Sequence, residues 1–170
     1  EEMGFEGLWL AEHHFAPAWG TASAPEIFLT AISQRTTKMR LGMAVVLTPL
    51  HHPLHIAAKA ATLDLLSNGR VDLGMGRASS PHQLTPFGVG LEDTRGMTDE
   101  AMAMIPRMWT EDVFSFKGKY YDIPPRTVVP KPFQKPHPPI WSACQQEDTC
   151  RLAGEMGLGC MVNTRYGPGR

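Results

Sequence analysis

Hydrophobic residues along this chain fall into short continuous runs that alternate with longer segments of helical periodicity. The continuous runs are 8–11, 40–47, 71–76, 139–144 and 158–162. Runs of this length with few polar positions are typical of strands that are buried on both faces. Five such strands with helices between them predict an α/β fold with a parallel sheet and right-handed crossovers.

Capping and turn residues indicate where the helices begin and end. Ser23-Ala24-Pro25-Glu26 matches a capping box and predicts the start of a first helix, and a second helix is predicted from Pro53 to Asn68-Gly69. Thr98-Asp99-Glu100 predicts the start of a third helix, in which Pro106 should cause a kink or an early end. A fourth helix is expected near residues 147–156.

Residues 111–138 interrupt this alternation of strands and helices. Phe114-Ser115-Phe116 and Tyr120-Tyr121-Asp122 flank Lys117-Gly118-Lys119, which predicts a hairpin. A proline-rich stretch from Pro124 to Pro138 follows it. We interpret the segment as an excursion inserted into a single domain that spans residues 1–170.

Composition and charge argue against some classes of partner. The chain is 42% hydrophobic and 19% charged with a formal net charge of −1, which gives no support for a nucleic-acid or membrane partner. Cys144, Cys150 and Cys160 are odd in number and lack a metal-ligand spacing, so we expect no metal site and a reduced, cytoplasmic setting. No apolar run approaches the roughly 18 residues of a membrane-spanning helix.

Two parallel architectures fit this order of elements, a doubly wound sheet and a barrel. No turn completes the G-x-G-x-x-G pattern of the doubly wound dinucleotide sites, and Gly74-Met75-Gly76-Arg77 falls short of it. Polar residues instead recur at the end of each strand, which favours a (β/α)8 TIM barrel. A full barrel takes roughly 250 residues, so we expect a fragment that lacks the first strand and the last two strands.

Ionisable and polar side chains follow four of the predicted strands, where parallel α/β folds bind their ligands. These are Glu12-His13-His14, Thr48 together with the apolar pair Ala44-Val45, Arg77 and Gln145-Gln146, and Arg95 follows the loop that Arg77 opens. A histidine can move a proton near neutral pH. An arginine binds phosphate through a planar set of donors. The pattern predicts a site at this edge of the sheet.

Six short motifs occur in a fixed order along nearly the whole chain. They are Trp9–Phe15, Leu41–Val45, His52–Leu54, Leu63–Arg70, Gly74–Arg77 and the segment from Phe87-Gly88 to Arg95. In this order and spacing they resemble the luciferase-like monooxygenases. The set is specific for that superfamily, although it does not identify a substrate.

The resemblance implies an FMN-dependent monooxygenase on a TIM barrel. In that family, reduced FMN reacts with O2, and the resulting C4a-peroxyflavin oxidises an aldehyde, a ketone or a similar small organic substrate. The resemblance also implies that a separate flavin reductase could supply the reduced FMN. Because barrels of this superfamily pair, we expect a homo- or heterodimer at full length.

The resemblance assigns roles to the residues at the first two strand ends. His13 corresponds to the catalytic histidine beside the flavin ring, and His14 to its less essential neighbour. Glu12 is expected to support His13 or to line the flavin pocket. Ala44-Val45 corresponds to a non-proline cis peptide beneath the ring.

The resemblance also implies a phosphate site. Arg77 and Arg95 correspond to the two arginines that hold the FMN phosphate, and Thr149 to a hydroxyl contact with the same group. Gln145 and Gln146 depart from the family, which more often has small residues or a serine there. Their backbone N–H groups could still meet the phosphate at a helix N-terminus.

Three alternative functions remain open. A deazaflavin (F420)-dependent oxidoreductase of the same superfamily would transfer hydride without activating oxygen. A metal-dependent hydrolase would need ligands at the later strand ends, which offer Ala44, Arg77 and Gln145 instead. A non-catalytic partner subunit is disfavoured because His13, Arg77 and Arg95 are retained.

Three further histidines are assigned to a helix start and a solvated face: His51, His52 and His55.

Overall fold

Five parallel strands form the main sheet in the same order in which they occur along the chain. The computed structural model describes residues 1–18 and 20–162. The strands of this sheet are β1 (Gly7–Leu10), β2 (Arg40–Leu47), β3 (Val71–Gly76), β6 (Ile140–Cys144) and β7 (Gly159–Val162). Neighbouring strands all pair in parallel, so the predicted parallel α/β sheet is confirmed.

Helices connect the successive strands. They are α1 (Pro25–Ser33), α2 (Pro53–Leu66), α3 (Pro81–Leu84), α4 (Thr94–Thr110) and α5 (Glu147–Glu155), with 3-10 turns at Thr48–Leu50 and Thr85–Phe87. The helix α1 joins β1 to β2, α2 joins β2 to β3, and α5 joins β6 to β7. Within the residues that the structure describes, no helix is long and apolar enough to cross a membrane.

The core lies between the sheet and the two longest helices. The middle strand, β3, is buried at every residue, as its continuous run predicts. Buried side chains of α2 and α4, among them Ile56 and Ile105, belong to the same apolar cluster as the side chains of β3. The Trp109 indole also donates a 3.0 Å hydrogen bond to the Ala57 carbonyl, which fixes α4 against α2.

The structure contradicts the predicted cap of the first helix and the predicted start of the third. The helix α1 begins at Pro25 with Ala24 as its N-cap and has no side-chain cap, so the capping box at Ser23 does not form. The helix α4 begins at Thr94, one turn before Thr98. The Thr98 hydroxyl donates a 2.8 Å hydrogen bond to the Thr94 carbonyl inside the helix, and therefore does not cap it.

Pro106 does not end α4, which continues to Thr110. A proline inside a helix removes one backbone hydrogen bond and crowds the preceding turn. Ile105, Met108 and Trp109 around it are all buried in the core, and their burial offsets that cost. The predicted early end is therefore wrong.

The excursion at residues 111–138 contains the predicted hairpin. Its strands are β4 (Phe114–Lys117) and β5 (Asp122–Arg126), which pair antiparallel. The Glu100 carboxylate on α4 accepts a 2.7 Å hydrogen bond from the backbone N–H of Lys119 at the hairpin tip. This contact holds the hairpin against α4.

Gly74, in the interior of β3, is a position of very close packing. A Cβ atom there would lie 1.9 Å from the Met43 carbonyl oxygen and 2.3 Å from Met161 Cε. Carbon atoms normally approach to about 3.5 Å, and the Met43 carbonyl belongs to the neighbouring strand β2. A side chain at this position would therefore push β2 and β3 apart.

We expect Gly74→Ala to lower the free energy of unfolding of the full-length protein by about 1–3 kcal/mol, because overpacking displaces backbone. Urea denaturation measures this difference. Gly154→Ala is the matched control, since nothing lies within 4 Å of a Cβ added in that helix. The control should retain stability or gain up to about 1 kcal/mol. Equal stability of the two variants would contradict the packing role of Gly74.

Candidate functional site

The carboxyl ends of β1, β2, β3 and β6 open onto one cavity of about 570 Å³. Most of the residues proposed from the sequence line it: His13, Val45, Arg77, Arg95, Gln145, Gln146 and Thr149. Glu12 and Ala44 do not. Residues more than 130 positions apart in the chain thus meet in one cavity, because parallel strands end at the same edge of a sheet.

His13 follows β1 and lies at the wall of the cavity, where it is half-buried. Its backbone N–H donates a 2.9 Å hydrogen bond to the Ala22 carbonyl. A Cβ atom at Gly20 would lie 3.2 Å from His13 Cδ2, so the segment after His13 folds back closely over the imidazole ring. The chain at Gly20 therefore packs against the imidazole ring.

The peptide bond between Ala44 and Val45 is cis, as the family resemblance implies. The register between β2 and β3 shifts between Met43 and Val46, around this bond. The Val45 side chain lines the cavity. On the neighbouring strand, a Cβ atom at Gly76 would lie 2.6 Å from Val45 Cγ2, so the absence of a side chain at Gly76 makes room for Val45.

Two guanidinium groups line the same cavity. Arg77 directly follows β3, and Arg95 lies in the first turn of α4. Arg95 has two loose carboxylate neighbours, Asp99 at 3.8 Å and Asp148 at 3.6 Å. Ion pairs at these distances between exposed side chains contribute little. Arg95 can therefore turn toward an anion in the cavity at small cost.

Asp99 is the acidic residue that lines the cavity beside these arginines. Burial raises the pKa of the Asp99 carboxyl, and the charges of Arg95 and Arg77 oppose this rise only in part. A raised pKa makes this carboxyl easier to protonate than an exposed aspartate.

The N-terminus of α5 forms another part of the cavity wall. Gln146 is its N-cap, and a reciprocal capping box joins the Gln146 side chain to the Thr149 backbone and the Thr149 side chain to the Gln146 backbone. The Thr149 hydroxyl lies 3.3 Å from the Gln146 nitrogen and donates a 2.7 Å hydrogen bond to the Gln146 carbonyl. The Thr149 hydroxyl thus bonds the backbone of the N-cap residue at the start of α5.

Glu12 differs from the expectation that it supports His13 or lines the cavity. Its side chain is buried, and Oε1 lies 2.6 Å from His14 Nε2 and 2.8 Å from His51 Nε2. Its Oε2 accepts a 2.8 Å hydrogen bond from the Leu47 backbone N–H. Alternate side chains of an extended segment point in opposite directions, so Glu12 and His14 share a side that His13 does not.

Burial opposes ionisation of Glu12, but its neighbours outweigh burial. The hydrogen bond and charge of His51, followed by the hydrogen bonds of His14 and the Leu47 N–H, lower the pKa of Glu12 below its ordinary value of 4.5. The ionised carboxylate therefore joins the ends of β1 and β2 to the turn that carries His51.

Sequence reasoning missed His51 and Gln83. His51 was assigned to a helix start and a solvated face, but it is half-buried and contacts Glu12. The buried Gln83 accepts a 3.3 Å hydrogen bond from the His14 backbone N–H. The position of His51 in the sequence could have indicated this role. His51 closely follows the end of β2, at the same edge of the sheet where Glu12 lies.

We expect Glu12→Gln to lower the free energy of unfolding at pH 7 by about 1–3 kcal/mol, since an ionised acceptor is lost from buried donors. In the wild type, the ionised Glu12 stabilises the fold fully above pH 4.5. This stabilisation is lost as the pH falls through the pKa of Glu12 in the folded state, which is lower than 4.5. Urea denaturation of the wild type and of Glu12→Gln at several pH values measures this difference in the free energy of unfolding. The exposed Glu6→Gln is the control, and identical acid dependence of wild type and Glu12→Gln would contradict the assignment.

Comparisons with known proteins show which family this chain resembles. A family model described as luciferase-like monooxygenase matches residues 1–169. The oxygenase component of flavin-dependent trigonelline monooxygenase from Acinetobacter baylyi is 30% identical over 162 residues, which cover 94% of this chain and 44% of that protein. An F420-dependent glucose-6-phosphate dehydrogenase from Kineococcus radiotolerans is 31% identical over an alignment of 175 residues with gaps, which covers 98% of this chain and 50% of that protein.

The fold has solved counterparts as well. The crystal structure of a monooxygenase from Streptomyces bottropensis matches with a TM-score of 0.93 and 33% identity, covering 98% of this chain and 51% of that one. The chain spans about half the length of the curated relatives it matches. Both flavin-dependent and F420-dependent enzymes are among these relatives. The chain belongs to the luciferase-like monooxygenase family of oxidoreductases.

Proposed function

We propose that this chain supplies the cofactor site of a flavin-dependent monooxygenase that uses reduced FMN and O2 to oxidise a small organic substrate. The observation that carries the proposal is that one cavity is lined by His13 and also by two arginines, Arg77 and Arg95. A side chain that can transfer a proton and two guanidinium groups that can bind a phosphate suit a reaction on a phosphorylated cofactor in this cavity.

The donor set of the cavity fits the phosphate of FMN. Two guanidinium groups offer charge-assisted hydrogen bonds. The N-terminus of α5 adds backbone N–H groups and the positive end of a helix dipole. We propose that Arg77, Arg95, Gln145, Gln146 and Thr149 hold the phosphate, with the two glutamines acting through their backbone. The Gln146 N–H and the Thr149 hydroxyl bond each other in this structure, so phosphate binding would exchange these hydrogen bonds for bonds to the phosphate.

The remainder of the cavity fits the flavin ring. Val45, Leu47 and Met102 contribute apolar surface to its wall, and its volume of about 570 Å³ lies within the ~300–1,000 Å³ of small-ligand pockets. We propose that the ring lies against the Ala44-Val45 peptide. Reduced flavin bound there would supply the electrons that activate O2.

His13 would act on the proton that the oxidation requires. An imidazole at the cavity wall can accept or donate a proton within hydrogen-bonding reach. Glu12, bound to His14 and His51 outside the cavity lining, would act as a positioning residue. It holds the end of β1 in place without touching the cofactor.

The wider assembly is part of the same proposal. We propose that the chain is the middle of a (β/α)8 TIM barrel, with the first strand and the last two strands outside this sequence. Its coverage of about half of each relative supports this. The name of the Acinetobacter baylyi relative, an oxygenase component, supports a separate reductase as partner.

A second candidate is hydride transfer with F420, which the similarity to an F420-dependent dehydrogenase supports. The full-length protein should be titrated with FMN and with F420 and then assayed for oxygen uptake with reduced FMN. FMN binding with substrate-stimulated oxygen uptake is the expected result. Binding and turnover with F420 alone would overturn the monooxygenase proposal.

We expect His13→Ala to abolish product formation while the dissociation constant for FMN stays within a few-fold of the wild type. The reason is that the imidazole is proposed to move a proton and not to hold the phosphate. Product analysis and flavin fluorescence titration measure the two quantities. His55→Ala is the control, and unchanged turnover of His13→Ala would reject the catalytic role.

We expect Arg77→Ala to weaken FMN binding by roughly 10- to 100-fold, because a charge-assisted phosphate contact contributes about 1.5–3 kcal/mol. Affinity for riboflavin, which has no phosphate, should change little. Fluorescence titration with both ligands measures the difference. The exposed Arg35→Ala serves as control. Equal losses for FMN and riboflavin would contradict a phosphate contact.

A further inference from the structure

Three cysteines that are dispersed along the chain meet in space. Cys144 ends β6, Cys150 lies in α5 and Cys160 lies in β7. Their three Sγ atoms all lie within 4.8 Å of one another, and all three thiols are free. The expectation of no metal site rested on the chain spacing, which resembles no common zinc motif.

The connection β6–α5–β7 builds this cluster. Cys160 pairs with Ser142 in the parallel ladder, two residues before Cys144 on the same strand. Residues two apart on a strand share a face, so Cys144 and Cys160 lie on the same face of the sheet. Cys150 reaches them from α5, and Cys160 Sγ lies 3.7 Å from the Cys150 carbonyl oxygen.

The spacing of the sulfurs suits a thiophilic ion. A tetrahedral zinc ion with Zn–S bonds of about 2.3 Å places its sulfur ligands roughly 3.8 Å apart. Three sulfurs already within 4.8 Å of one another need to move by no more than about 1 Å to reach that arrangement. Side-chain rotation of the half-buried Cys150 and the exposed Cys160 can supply this movement.

The three cysteines differ in solvent exposure, which leaves one side of the cluster open. Cys144 is buried, Cys150 is intermediate and Cys160 is exposed. An ion can therefore enter from the side of Cys160 and would keep one open position for water. A thiolate set prefers zinc over magnesium or calcium, which favour oxygen ligands.

We propose that Cys144, Cys150 and Cys160 bind one Zn²⁺ ion, with water as the fourth ligand. Each thiol that coordinates the ion releases its proton to the solvent, so that the ligands are thiolates. The ion would link α5 to both strands that flank it. Since Cys150 directly follows Thr149 in the chain, zinc would also fix the helix that lines the cavity.

The test is a zinc titration of the full-length protein after reduction and removal of metal, in competition with a chromophoric chelator. We expect one equivalent of zinc to bind to these thiols. Cys160→Ser should weaken binding at least tenfold, and Cys150→Ser combined with Cys160→Ser should abolish it. Glu155→Gln, on the exposed side of α5, is the matched control and should bind zinc like the wild type.

Zinc should also raise the melting temperature of the wild type but not that of the double variant, because a ligand stabilises only the state that binds it. The melting curve of each variant without zinc checks that it folds. Should a variant not fold, the wild type is titrated with Cd²⁺ instead. A thiolate-to-metal charge-transfer absorbance would then show that the cysteines bind the ion. Absence of that absorbance, or equal zinc affinity of wild type and double variant, would overturn the proposal.

Discussion

Parallel pairing brings the carboxyl ends of β1, β2, β3 and β6 to one edge of the sheet, and every group of the candidate site depends on that edge. Each of these strands carries one site residue near its carboxyl end. Val45 lies in the last residues of β2, and the other three follow their strands: His13, Arg77 and Gln145. The buried middle strand β3 and close contacts such as that at Gly74 hold the register. The sheet positions these side chains, and the helices α4 and α5 add Arg95 and Thr149 to the same cavity.

Charge is divided between two sides of the first two strand ends. Glu12 lies buried between two histidines and a backbone amide, so its negative charge is satisfied away from the cavity lining. The cavity itself carries Arg77, Arg95 and an aspartate with a raised pKa. This separation of charge favours an anionic ligand in the cavity. It also explains why Glu12, although adjacent to His13 in the sequence, does not repel that ligand.

Local patterns in the sequence predicted the sheet, the hairpin and the convergence of His13 with Arg77, because continuous apolar runs and strand ends are properties of neighbouring residues. Thr98 misled the prediction of α4, since a threonine that caps a helix and one that bonds inside it look alike in sequence. The contact between Glu12 and His51 and the cysteine cluster require elements that only folding brings together. No short-range pattern specifies these contacts; for His51, only its position soon after β2 indicates the sheet edge where Glu12 lies.

The most direct test of the account is a crystal structure of the full-length protein with FMN bound. The account predicts that the phosphate lies within hydrogen-bonding distance, about 3 Å, of Arg77 and Arg95 at the N-terminus of α5. It also predicts that the flavin ring lies between Val45 and His13. A flavin outside this cavity, or one with its phosphate directed toward His13, would contradict it.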